Sequence, residues 1–76
     1  MKVSNDEVIR KIIGLMQVLG NEQVPYVKIA FEDDMNVLIQ DWSSTIVRVK
    51  KLSWDEFVST DSKLLVQIIR SMQDGE

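Results

Sequence analysis

Residues 31–51 read FEDDMNVLIQDWSSTIVRVKK. The stretch reads as two short strands with an acidic run at one end and Trp42-Ser43-Ser44 at the other, and Val47 and Val49 alternate with Ile46, Arg48 and Lys50. The run Glu32-Asp33-Asp34-Met35-Asn36 is rich in residues that bond back to their own backbone, which predicts a hairpin loop. A second strand is expected over 37–41 and a third over 45–51, joined through Trp42, Ser43 and Ser44. Upstream, Val27, Ile29 and Phe31 alternate with Lys28, Ala30 and Glu32 behind Pro25, which suits a strand start or an edge. The stretch therefore predicts a meander of three antiparallel strands. Val27, Ile29, Phe31, Val37, Ile39, Val47 and Val49 are expected to face a core. Tyr26, Lys28, Ala30, Leu38, Gln40, Trp42, Ile46, Arg48 and Lys50 are then expected on the opposite face.

Helical signals flank this meander. Ser4-Asn5-Asp6-Glu7 is a capping box, with Val3 and Val8 placed as a hydrophobic staple. Val8, Ile9, Ile12, Ile13, Met16 and Leu19 follow at helical spacing, and Gly20 reads as a left-handed stop. Gly14 in mid-helix costs about 1 kcal/mol relative to Ala, so it marks either a close neighbour or a tolerated weakness. Leu52-Ser53-Trp54-Asp55-Glu56-Phe57 repeats the grammar of the first box. The polar run Ser59-Thr60-Asp61-Ser62 predicts a short helix, a break, and a second helix over 63–73, although one continuous helix also fits the apolar phase. The predicted fold is a single α+β domain over 1–76. It has two layers, with the first helix and one or two C-terminal helices packed on one face of the sheet.

A chain of 76 residues buries only about 60% of its unfolded surface. At 45% hydrophobic and 28% charged residues it still has the composition of a folded domain, not of a disordered one. No apolar run approaches 18 residues, and charges interrupt the apolar start of the chain, so neither a membrane span nor a signal peptide is expected. A cytoplasmic location follows as the default.

Histidine and cysteine are both absent from the sequence. That removes thiolate nucleophiles, disulfides, the usual zinc ligands and the usual general base near neutral pH. Glu32, Asp33 and Asp34, with Asn36 and Asp41 near them, suit calcium or magnesium by type but lack the glycine and the terminal glutamate of an EF-hand loop. Asp55 and Glu56 are explained by capping. The serines have no partner to activate them, and no glycine-rich phosphate loop exists. Catalysis and cofactor binding are therefore not expected.

The open sheet face carries the functional expectation. Tyr26, Lys28, Leu38, Gln40, Trp42, Ile46, Arg48 and Lys50 combine aromatic, aliphatic and cationic groups, as protein interfaces do. The same mixture also describes a small domain that stacks single-stranded nucleic acid. The net charge of −3 favours the protein reading and argues against direct nucleic-acid binding. Glu32, Asp33 and Asp34 would steer a partly basic partner. A second copy of the chain is the other candidate occupant, and the bland alternative is that Trp42 folds over the sheet end while Leu38 and Ile46 form an ordinary cross-strand pair.

The FEDDMNVLIQ hairpin between a helix and C-terminal helices, in a short acidic chain, resembles small phage-encoded inhibitors of the anti-CRISPR type. The resemblance spans most of the chain as architecture, and only the Asp-Asp hairpin with Val37-Leu38-Ile39-Gln40 echoes it at residue level. It implies a non-catalytic protein in a host cytoplasm that occludes a surface on a larger enzyme or nucleoprotein. Nine basic residues depart from the most acidic members, which mimic nucleic-acid charge.

Overall fold

The computed structural model describes residues 3–74. Along the chain lie α1 (Asn5–Asn21), β1 (Val27–Phe31), β2 (Asn36–Asp41), β3 (Arg48–Ser53), α2 (Trp54–Ser59) and α3 (Ser62–Asp74). The strands form one antiparallel sheet in the order β1-β2-β3, as the hairpin signals require. No described helix is long and apolar enough to cross a membrane.

Both capping boxes form. Ser4 Oγ accepts from the Glu7 N–H, and the Glu7 carboxylate accepts from the Ser4 N–H at 3.0 Å. Ser53 and Glu56 do the same at the start of α2. The staples close over them: Val8 and Phe57 are fully buried, with Val3 and Leu52 packed against the same core. The C-terminal segment is two helices. Thr60 leaves helical geometry at φ −83°, ψ 130°, and the Asp61 carbonyl and carboxylate then accept from Leu65 and Lys63 as α3 begins. Asp61 thus marks the break between the two helices.

The core joins Val8, Leu15 and Leu19 of α1 to Phe57 and to Leu65, Val66 and Ile69, over Val37 and Ile39 of the central strand. α1 packs on α2 and α3, which in turn pack on the sheet. Val37, Ile39 and Asp41 are buried while Leu38 and Gln40 between them are only half-covered, so the helices occupy one face.

Three expectations need correction. Cross-strand partners share a face, so the rows Val27·Asp41·Arg48, Ile29·Ile39·Lys50 and Phe31·Val37·Leu52 lie on the helix side. Arg48 and Lys50 therefore do not belong to the open face, and Val49, expected inside, is outside and 54% exposed. Val47 precedes the strand. The strand's own β-branched run has no clean alternation, and pairing with β2 sets its phase. Second, Phe31 is 42% exposed, because it ends an edge strand and meets Trp54 edge-on at 5.6 Å instead of entering the core.

Third, α1 does not stop at Gly20. Its end is a Schellman arrangement in which Val24 N–H donates to Leu19 O (2.9 Å) and Gln23 N–H to Gly20 O (3.1 Å). Gln23 holds the left-handed position at φ 57°. Val24, buried with Leu19, supplies the accompanying apolar contact. A Cβ on Gly14 or on Gly20 would meet nothing within 4 Å, so no close neighbour explains either glycine. Ile9, Ile13 and Met16 are 40–55% exposed along the flank of α1 that turns away from the core.

Candidate functional site

Three rows of residues build the open face: Lys28·Gln40·Val49, Ala30·Leu38·Lys51 and, at the hairpin end, Asn36·Ser53, where the Glu32 N–H donates to Asn36 O. Lys28, Val49 and Lys51 are exposed, whereas Ala30, Leu38 and Gln40 are half-buried between them. Trp42 extends this face beyond the end of β2. Its backbone N–H donates to Tyr26 O at 2.8 Å, and its indole N–H donates to Gln40 Oε1 at 3.0 Å. Those two bonds fix the ring on the side of Gln40 while leaving Trp42 51% exposed. Tyr26, at φ 67°, turns the chain into β1 and stands in solvent. Ile46 projects from the β2–β3 connection, which Ser44 ties by accepting from Ile46 N–H and donating to Ile46 O.

Lys28, Leu38, Gln40 and Trp42 are thus brought together as expected, with Tyr26 and Ile46 at the same end of the molecule as Trp42. Arg48 and Lys50 are not. The Arg48 guanidinium donates to the Met72 carbonyl near the end of α3, and Lys50 stands on the helix side beside Ile39. Val49 and Lys51 take their places. Sequence reading missed both, yet the hairpin register places them opposite Gln40 and Leu38.

The acidic tip divides by role. Asp33 accepts from the N–H groups of Met35 (2.8 Å) and Asn36 (2.9 Å) and from the Asn36 amide, which shapes the turn. The Met35 N–H, chief among these donors, holds its carboxyl below the usual range. Among the described residues the exposed carboxylates of Glu32 and Asp34 take no hydrogen bond. Asp41 is the buried carboxylate of the fold. Burial pushes its pKa up, but Ser43, Gln73 and Arg48 together outweigh that and leave it lowered. Ser43 N–H donates to it at 3.0 Å and Gln73 Nε2 at 3.4 Å. Gln73 also donates to Pro25 O, so this cluster locks α3 to the sheet.

Among the described residues no group of three or more metal-binding side chains comes together. A notch of about 70 Å³ lies between Val3, Met35 and Trp54, too small for a typical small-molecule site. A larger open hollow of about 350 Å³ beside Leu19, Gln23 and Pro25 has no ionisable lining residue. The Trp54 indole N–H is buried without a partner among the described residues. The arrangement that stands out chemically is therefore the sheet face with its fixed, half-exposed tryptophan. No protein-family model matches the chain, and no curated protein or solved structure matches it either.

Proposed function

We propose that the chain is a non-catalytic protein-binding module, an inhibitor or adaptor that docks by the open face of its sheet and occludes a surface on a larger protein. The observation that carries this reading is Trp42, held by two hydrogen bonds yet half in solvent. A pre-oriented aromatic loses little freedom on binding, which is the property of interface hot spots. Val49, Tyr26 and Ile46, each more than half exposed, add apolar area at the same end. At the opposite end of β2, the exposed carboxylates of Glu32 and Asp34 would speed association with a partner that presents basic groups there. Surface occlusion is also the mode implied by the resemblance to small phage inhibitors.

Affinity capture from a host lysate with the native chain and with Trp42→Ala tests the reading. Proteins retained by the first and lost by the second are expected, with binding weakened by about 2 kcal/mol or more, roughly thirtyfold. Equal capture by both folded chains would remove the open face as the site. A second reading, single-stranded nucleic-acid binding, draws on Lys28 and Lys51 beside Trp42. Fluorescence anisotropy with oligonucleotides is expected to show no measurable binding at physiological salt, and tight, salt-dependent binding would establish that reading instead.

A further inference from the structure

The charge on the open face is opposite in sign to that of the chain. The whole sequence carries −3, yet the rows Lys28·Gln40·Val49, Ala30·Leu38·Lys51 and Asn36·Ser53 hold two lysines, and the acid nearest them in register, Glu32, stands beside Asn36 at the hairpin end. Lys28 lies on one edge strand and Lys51 on the other, two residues out of step. By strand spacing and rise their Cα atoms are roughly 12 Å apart on the diagonal. Leu38 and Gln40 sit between them, and Val49 and Trp42 border them. Asp33, which feels the charge of Lys51, has its carboxylate already engaged in its own turn.

An extended chain repeats side chains on one face at every second residue, and residues four apart span roughly 13 Å. That span matches the lysine diagonal, with the middle residue of the three falling on the aliphatic centre. We propose that the open face receives an extended acidic segment of a partner protein, of the pattern carboxylate, any residue, apolar, any residue, carboxylate. The carboxylates meet Lys28 and Lys51, and the apolar side chain seats on Leu38 and Val49 beside Trp42. This rests on the protein-binding reading above and adds the chemistry of the partner's contact. A nucleic-acid strand fits the face less well. It needs successive aromatic platforms for its bases, and the rows offer aliphatic groups with Trp42 alone at their end.

The test is NMR titration of the ¹⁵N-labelled chain with three probes. These are the blocked peptide Glu-Thr-Leu-Thr-Glu, its charge-reversed counterpart Lys-Thr-Leu-Thr-Lys, and a short oligothymidylate. The expected result is saturable shifting of the Trp42 indole signal and of the Gln40, Val49 and Lys51 amides with the glutamate peptide. The Trp54 indole signal, on the other side of the sheet, should stay in place. The double variant Lys28→Glu, Lys51→Glu is expected to weaken that binding at least tenfold, and Lys28→Ala, Lys51→Ala is a milder check should the reversal disturb the fold. Binding of the lysine peptide at the same signals would overturn the acidic partner while leaving the protein-binding reading intact. Binding of oligothymidylate in place of both peptides would overturn both. Absence of any saturable shift with the glutamate peptide up to millimolar concentration would overturn this proposal, and the Trp42→Ala capture would then decide the broader one.

Discussion

At Asp41, a single carboxylate decides how one end of the molecule holds together. The group is buried, which disfavours its charge, and it stays charged because Ser43 and Gln73 donate to it and the Arg48 charge acts on it from nearby. Arg48 in turn reaches the Met72 carbonyl, so β2, β3 and α3 share one polar cluster. The folded pKa is lowered, so the unfolded chain binds the extra proton first as the solution is acidified. Asp41 therefore stabilises the fold above about pH 4, and that contribution is lost as the pH falls through the folded value. Asp33, lowered for its own reasons, acts in the same direction. Replacing Asp41 by Asn should cost about 1–3 kcal/mol near neutral pH, since a neutral amide oxygen accepts from Ser43 and Gln73 more weakly than the carboxylate does and the Arg48 charge loses its counterpart. Urea midpoints measured from pH 6 to pH 2 should fall less steeply for the variant than for the native chain. Parallel acid limbs would show that Asp41 is not the group whose protonation matters.

At the scale of elements, the helix starts and the hairpin were legible because their chemistry is local. Ser4 with Glu7, Ser53 with Glu56, and Asp33 with Asn36 all bond within three residues. β3 was misread because its phase is set by its partner strand. Val47 and Val49 suggest an inward set, but pairing Gln40 with Val49 turns that valine outward and brings Arg48 and Leu52 in. The candidate site inherited this slip, losing Arg48 and Lys50 and gaining Val49 and Lys51. The end of α1 was misread for a similar reason. Gly20 carries the usual stop signal, while Gln23 adopts the left-handed geometry because Val24 must reach the core beside Leu19. The two assignments predict opposite signs for one substitution. With open space around its Cβ and helical neighbours, Gly20→Ala should stabilise the chain by about 0.5–1 kcal/mol. Gln23→Gly should also stabilise it, by up to about 1 kcal/mol, by relieving the left-handed side chain. Thermal unfolding of the two variants decides the matter: destabilisation by Gly20→Ala would place the helix stop at Gly20 after all.

For the whole molecule, shape explains why one sheet face is left without cover. The Cα trace spans 36 × 24 × 15 Å, thin enough for one helical layer against one sheet. All three helices lie on the side of Val37 and Ile39, and none remains for Leu38, Val49 and Trp42. Aromatic residues should therefore separate into three classes by the cost of removing them. Phe57 is fully buried among both helical segments and the sheet, so Phe57→Ala should cost roughly 3–5 kcal/mol. A domain of this size has only about 4–11 kcal/mol in total, and that variant should stand close to unfolding. Phe31 is half-exposed and mainly loses its edge contact with Trp54, so Phe31→Ala should cost about 1–2 kcal/mol. Trp42 touches solvent on one side and gives up one hydrogen bond to Gln40, so Trp42→Ala should cost about 1 kcal/mol or less. Urea denaturation of the three variants tests the order. If Trp42→Ala proves as damaging to stability as Phe57→Ala, the ring is part of the core and the open face has no anchor to offer a partner. If it proves the mildest of the three, a tryptophan held in water by two hydrogen bonds contributes little to folding. A binding role would then account for its position.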